Sequence, residues 1–297
     1  QVEYAISSPV RILDEPVADF ITGANITLFL KKDGSLWGFG SLHILDGLGT
    51  ERNPVKITDG PLLGFACSLD SIYFIKSNGS LWAAGSNNHG RLGIGDISNQ
   101  STPIQVISSG VVKVAARHDH VAVIKSDGSL WGMGDSKYGK IGNGRSGSNN
   151  DPAKTPFQIE SSGVLQASAG WHHSMYVKTD GSLWAMGMNA QGRLGDGSET
   201  ERARPVQILG STGNVRYVSA GISHTLFIKT DGSLWGMGDN SQGQLGDEQP
   251  EKHRAASSRD KWNFIKKLIQ SKSSEHIAHG KFSHVHLAGR EVFHLPY

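Results

Sequence analysis

A single cysteine, Cys67, occurs in 297 residues. A lone thiol forms no internal disulfide and no cysteine-based zinc site. Its apolar surroundings, Leu62-Leu-Gly-Phe-Ala-Cys67, read as a small buried side chain. Proline is scarce too, at 10 residues against 38 glycines, which fits many tight turns rather than a disordered linker. No apolar stretch approaches the roughly 18 residues of a membrane span, and none reads as a signal peptide. The chain opens on Gln1 rather than Met and is read as a fragment or a processed form.

Charge of one sign is also missing. The net charge of +2 gives no bias towards nucleic acid or a membrane surface. The balance is uneven, because residues 248–297 hold nine Lys/Arg, five Asp/Glu and six of the 13 histidines. That stretch reads as a solvated, divergent final repeat, with a basic contact surface as the alternative.

Catalytic signatures are absent as well. There is no Gly-x-Ser-x-Gly elbow and no histidine–acid pair that ties to a serine nucleophile. The glycine phrases precede no helix, against a phosphate loop, and no calcium-loop spacing occurs.

What the chain does have is a repeated phrase. Asp-Gly-Ser-Leu-Trp stands at Asp33–Trp37, Asp127–Trp131, Asp180–Trp184 and Asp231–Trp235, and Asn78–Trp82 differs only at its first residue. The tryptophans Trp37, Trp82, Trp131, Trp184 and Trp235 are 45, 49, 53 and 51 residues apart. A period near 50 residues marks a repeat architecture. In each copy, a short strand ending at Gly precedes an alternating strand such as Thr225–Lys229. Asp-Gly then makes a tight hairpin, expected as a type I′ turn with both residues at positive φ, and the return strand carries Trp. A glycine-rich turn follows: Arg91-Leu-Gly-Ile-Gly, Lys140-Ile-Gly-Asn-Gly, Arg193-Leu-Gly-Asp-Gly and Gln244-Leu-Gly-Asp. An edge strand opening on proline closes the unit at Pro54, Pro103, Pro156 and Pro205.

Four short antiparallel strands cannot bury both faces of their own sheet. Packing such sheets radially solves the problem, so the expected fold is an all-β propeller of six, or seven, four-stranded blades in a single domain over 1–297. Repeats are well formed over 8–247. Residues 248–276 form a divergent insertion, read as a short helix through Trp262–Ile269 capped by Ser258, or as irregular chain where an edge strand belongs. Residues 277–297 make a degenerate last hairpin. Pro9-Val-Arg-Ile12 matches the edge-strand phrase, so an N-terminal strand is expected to close the ring with the C-terminal hairpin.

Three phrases in order carry a family resemblance: Gly-x-x-His before a strand, Asp-Gly-Ser-Leu-Trp-x-x-Gly in the hairpin, and Gly-(Gln/Arg)-Leu-Gly-x-Gly in the following turn. With them the chain resembles the regulator of chromosome condensation repeat family, well over 8–247 and weakly over 277–297. The resemblance implies a propeller, most often of seven blades. It implies little about activity, since such proteins include a nucleotide-exchange factor for a small GTPase, an ultraviolet-B photoreceptor and a secreted β-lactamase inhibitor. The near-identical repeats look most like the bacterial, often exported, branch, so an extracellular or cell-surface location is expected.

Most signal residues are assigned to packing. The five phrase tryptophans read as structural. His120, His173, His224 and His284 recur at one module position, where a hydrogen bond from imidazole to backbone is expected. Cofactors, metals and catalytic residues are expected to be none, and the chain is not expected to be an enzyme. Variable positions remain. One set precedes the module histidine and includes Asp70, His118, Asp119, Trp171, His172 and Phe282. The other, in the following turn, includes His89 and Tyr138 among amide-rich neighbours. The first set should gather on one rim, and its mixture of Trp, Phe, His and Asp resembles interface anchors; the amide-rich second set suits hydrogen bonding to protein or sugar. The expected function is a non-catalytic protein-binding module with a partner of unknown identity. A carbohydrate-binding propeller, resting on Trp171 and the amide loops, is the alternative, and an exchange factor a further one. No nucleic-acid partner is expected, and a monomer is favoured.

Overall fold

The computed structural model describes residues 9–41, 50–146, 151–246 and the backbone of 253–258, 282–285 and 293–296. Five four-stranded antiparallel sheets follow one another along the chain. The first holds β1 (Val17–Thr22), β2 (Ile26–Lys31), β3 (Leu36–Ser41) and β4 (Thr50–Thr58). The second holds β5 (Leu62–Cys67), β6 (Ser71–Lys76), β7 (Leu81–Gly85) and β8 (Gln100–Ile107), and the third β9 (Val111–Arg117), β10 (His120–Lys125), β11 (Leu130–Gly134) and β12 (Ala153–Glu160). The fourth holds β13 (Val164–Ala169), β14 (His173–Lys178), β15 (Leu183–Gly187) and β16 (Arg202–Leu209). The fifth holds β17 (Val215–Ala220), β18 (His224–Lys229), β19 (Leu234–Gly238) and β20 (His253–Ser258). A two-stranded ladder, β21 (Phe282–Val285) with β22 (Phe293–Pro296), ends the chain. First strands of successive blades abut, β5 on β9, β9 on β13 and β13 on β17, as in a β-propeller with its first strands innermost.

The repeated phrase explains its own composition. Gly34 lies at φ 85°, whereas Asp33 stays at negative φ, and the Gly34 N–H bonds Lys31 O at 3.0 Å. The hairpin is therefore a turn finished by one left-handed glycine, not the expected type I′ pair. The aspartate has a different task. Asp33 Oδ1 accepts from Ser35 N at 2.9 Å and Ser35 Oγ at 2.6 Å, and Ser35 Oγ accepts from Trp37 Nε1 at 2.8 Å. Asn78 Oδ1 accepts from Ser80 in the same way, which is why asparagine can stand there. Leu36, Leu81, Leu130 and Leu183 are fully buried.

The cores lie between blades. Trp82 packs on the cluster of Leu28, Leu36 and Phe74, Trp131 on that of Tyr73, Leu81 and Met133, Trp184 on Leu130 and Tyr176, and Trp235 on Val177 and Phe227. Each indole is half-buried, with the lysine of the neighbouring strand over its ring, for example Lys229 at 3.9 Å from Trp235 and Lys31 at 4.0 Å from Trp37. Cys67 is buried between the first two blades, where desolvation raises its thiol to about 12.

Two sequence expectations change. Residues 9–13 form no strand, and the C-terminal ladder has two strands among the described residues. The apolar side chains Val10, Ile12 and Leu13 lie instead beside Phe20, Phe29 and Phe39 of the first blade, lining a groove with them. Within 248–276 the edge strand does exist, as β20, which pairs with β19 and ends at Ser258. The helix expected through Trp262 lies outside the described residues.

Candidate functional site

Both variable sets fall on the same rim, and at the third and fourth blades they merge. The turn joining the first two strands of a blade meets the turn that follows the third strand. His118 and Trp171 meet in a tilted contact with centroids 4.7 Å apart, His118 meets His172 edge-on at 5.6 Å, and Tyr138 meets His172 edge-on at 5.3 Å. All four side chains are half-exposed. His89 joins from the preceding blade, with a ligand atom within 4.8 Å of those of Asp119 and Asp135. Asp70 occupies the equivalent turn of the second blade, and no hydrogen bond, ion pair or ring contact ties its side chain to this group among the described residues. The Phe282 side chain lies outside the described residues.

Sequence reasoning missed what holds the rim in place. The informative member of Gly-(Arg/Lys)-(Leu/Ile)-Gly is the basic residue rather than the glycines or the apolar anchor. Arg91 is buried; its Nε donates to Asn88 O at 3.1 Å, one terminal nitrogen to His118 O at 3.1 Å and the other to Asp119 Oδ1 at 2.8 Å. It thus latches the turn of one blade to the rim of the next. Arg193 repeats the device with Ala190 O and Ile222 O. Lys140 instead pairs with Asp135 at 2.6 Å, its side chain fully buried. A recurring cation at one module position was the available signal.

Two of the loop amides are bonded within their own turns. Asn87 is buried, accepts from Leu92 N at 2.8 Å and donates to Asp96 O at 3.0 Å. Asn189 likewise accepts from Leu194 N and donates to Asp196 Oδ1. These two asparagines shape their own turns. What they leave outward is the residue at the apex: His89, Tyr138 and Gln191 sit at φ 62–63°, a left-handed conformation that side chains other than Gly, Asn and Asp seldom adopt.

His89, Asp119 and Asp135 form a set that could hold a metal ion. The surrounding charges oppose one. Asp119 is held by Arg91 and by His118 Nδ1 at 2.5 Å, and Asp135 by Lys140. A divalent cation would sit against two fixed positive charges and would have to displace both pairings. Burial pushes the Asp119 carboxyl up, but the His118 hydrogen bond and Arg91 outweigh it and hold it at about 2.

The module histidines face inward. His120 Nε2 lies 2.8 Å from Ser174 Oγ and His173 Nε2 2.9 Å from Thr225 Oγ1, so the partner is a hydroxyl of the next blade rather than the expected backbone group. A serine beside a histidine has the outline of a nucleophile and its base, yet Ser174 is buried and donates to Lys140 O. It has neither access nor a free proton acceptor, and both side chains are spent on joining blades. His224 is partly exposed, with burial holding it below its ordinary value, and His284 lies outside the described side chains.

Comparison with known proteins agrees with the architecture. The ultraviolet-B receptor UVR8 of Arabidopsis thaliana is 34% identical over 89 residues, which is 30% of this chain and 20% of UVR8. Human WBSCR16 superposes with a TM-score of 0.70 at 22% identity, covering 82% of this chain and 66% of that one. Prp20p of Saccharomyces cerevisiae gives a TM-score of 0.70 at 20% identity, covering 82% and 65%. The chain thus spans less than two thirds of the length of each. These relatives are eukaryotic and lend the bacterial, exported expectation no support. The RCC1-like domain model matches residues 3–293, and with nearly the whole chain accounted for, this protein belongs to the RCC1-like domain family.

Proposed function

We propose that this propeller is a non-catalytic docking module that binds a protein partner through the rim of its third and fourth blades. The carrying observation is the half-exposed group of His118, Tyr138, Trp171 and His172, supported from beneath by the Arg91 latch. Large, rigid aromatic groups on a pre-ordered scaffold supply contact area at low entropic cost, the usual character of interface anchors. The buried His120–Ser174 and His173–Thr225 pairs are committed to joining blades, which favours binding over catalysis.

The test is proximity cross-linking from a photoreactive residue placed at His89, comparing the wild-type protein with Trp171→Ala and Tyr138→Ala. The proposal expects a discrete cross-linked protein whose yield falls in both variants while folding is retained. Equal yield in all three proteins would refute it.

An exchange-factor role is the second reading, because Prp20p, which shares the fold, is described by its binding to Gsp1p and histones. Release of labelled guanine nucleotide from a panel of small GTPases separates the two. Acceleration by this protein would establish exchange in place of simple docking.

A further inference from the structure

Arg117 stands where the first, fourth and fifth blades carry glycine, the second carrying Ser68 and the last hairpin Lys281. The fourth and fifth blades have Gly170 and Gly221 three residues before their histidines, and the third has Arg117 before His120. Those glycines have little room for a side chain. A Cβ on Gly170 would fall 2.9 Å from Gly221 O, and one on Gly221 would fall 2.3 Å from the His224 ring. In the third blade the residue after Arg117, His118, stands at φ 51°, unlike Trp171 and Ile222 at the equivalent place. The guanidinium then passes the fourth blade and reaches Ala220 O of the fifth at 3.5 Å, a long and weak contact. It therefore spans the mouth of the ring, at the inner end of the first strands.

The carboxylates nearby are taken. Asp119 serves Arg91 and His118, Asp135 serves Lys140, and Asp239 accepts from Ser241 and Gln244. No ion pair to Arg117 occurs among the described residues. The half-buried guanidinium therefore keeps most of its five N–H donors available to an incoming acceptor. The aromatic group is its neighbour. Its own sequence neighbour, His118, lies tilted against Trp171, and the Trp171 backbone N–H bonds Gly221 O at 3.2 Å, next to the Ala220 carbonyl that Arg117 touches.

We propose that Arg117 is the anchor for an acidic side chain of the protein partner, an Asp or Glu inserted at the mouth of the ring while an adjacent apolar or aromatic residue lies on Trp171. This deepens the protein-docking reading and rests on it. A single guanidinium suits one carboxylate through a two-bond fork. A polyanion is disfavoured, since Asp70, Asp119, Asp135 and Asp239 share the same rim. A terminal carboxylate is usually held in a nest of backbone N–H groups, whereas the backbone groups beside Arg117 are the carbonyls of Ala220 and Gly221.

The experiment uses the full-length protein and fluorescence polarisation with three labelled probes. The first is an amidated peptide of three Gly-Glu-Ser-Phe units, the second its Gln counterpart, and the third the Gln peptide with a free C-terminus. The acidic probe should bind best, and its affinity should fall as salt rises. Arg117→Gln should weaken it by about tenfold and leave the Gln probe unchanged, and Arg117→Lys, which keeps the charge, should recover part of the loss. Trp171→Ala should weaken both amidated probes. Equal binding of the Glu and Gln probes, a preference that survives Arg117→Gln, or a free-carboxylate probe as good as the acidic one would each overturn the assignment. If Trp171→Ala lowers the binding of both amidated probes while Glu and Gln are not distinguished, the acidic anchor is refuted and the docking rim stands. Thermal melts of both Arg117 variants establish that they fold.

Discussion

His120 Nε2 lies 2.8 Å from Ser174 Oγ, so a buried imidazole of one blade is bonded to a buried hydroxyl of the next. Ser174 Oγ donates its own proton to Lys140 O at 2.8 Å, which obliges it to accept from His120 and places the imidazole proton on Nε2. The same relay runs from His173 through Thr225 to Arg193 O one blade on. Neighbouring blades are thus joined by directional bonds as well as by apolar contact.

Removing either end of this bond should loosen the seam. Ser174→Ala leaves a buried imidazole N–H and the Lys140 carbonyl without their partner, at about 1–3 kcal/mol. His120→Ala adds a cavity and should cost about 2–4 kcal/mol. Urea denaturation of both variants and of the double variant measures it. The double variant should cost less than the sum, because the two residues share one interaction.

Acid should weaken the fold well before the carboxylates titrate. Burial, followed by the charge of Lys140, pushes His120 well below its ordinary value, and burial with Arg193 does the same to His173. Burial, with Lys140 second, lowers His172 to about 4. A histidine kept neutral in the fold contributes its full stability above its unfolded pKa of about 6.5, and that contribution is lost as pH falls below it, because the unfolded polypeptide takes up the proton. For His120 and His173 the slope is about 1.4 kcal/mol per pH unit each, down to their folded values. Denaturation midpoints at pH 7.5, 6.5 and 5.5 should fall steadily below 6.5, and His173→Asn should flatten the slope. A midpoint independent of pH over this range would contradict the buried neutral state.

The Arg91–Asp119 pair tests the latch. Asp119→Ala leaves the buried Arg91 without its carboxylate, and truncating one member of a buried pair costs about 3–5 kcal/mol. Replacing both with apolar residues should cost clearly less, since no uncompensated charge remains. The part of the tryptophan fluorescence that is lost in Trp171→Phe supplies a second readout, because Arg91 also bonds His118 O and His118 packs against Trp171. A change in the indole emission of folded Arg91→Leu is the expected sign of a displaced rim.

The tryptophans are the mortar, and the lysines over them are a minor addition. Trp131 packs into the core shared with the preceding blade, whereas Lys125 lies 4.3 Å from its ring on a half-exposed surface. Trp131→Ala should cost about 2–4 kcal/mol, and Lys125→Met no more than about 1 kcal/mol. Thermal melts of the two variants, side by side, decide the ranking.

What could be read from the sequence was whatever repeated. The Leu and Trp of the hairpin phrase alternate across a strand, so Leu183 had to face one core and Trp184 the other. The edge strands and the placing of Asp70, His118 and Trp171 on equivalent turns follow from copying alone, but the prolines do not open those strands: Pro103, Pro156 and Pro205 stand fourth and Pro54 fifth, beside a break in register that spares their missing N–H. What could not be read were relationships between copies. His120 meets Ser174 54 residues away and Arg91 meets Asp119 28 residues away, and only ring geometry sets those pairings. The asparagines misled for a related reason. Asn87 and Asn189 look available in a polar loop, but each closes its own turn through a residue five positions on.

Tyr138 offers the sharpest separation of stability from binding. It holds φ 63°, as do its repeat equivalents His89 and Gln191 near that value, and each is followed by a glycine that is also left-handed. A non-glycine residue in that region costs roughly 1–2 kcal/mol, so Tyr138→Gly relieves backbone strain while deleting the ring that meets His172 at 5.3 Å. A tyrosine kept there for packing alone would lower the melting temperature when removed. A tyrosine kept for docking would leave the melting temperature unchanged or higher and lower the cross-linking yield at the rim. The second pattern is expected, because the Tyr138 ring is half-exposed and the buried contacts of its turn are made by Gly139 and Lys140. Paired measurement of melting temperature and cross-linking yield in this one variant distinguishes them.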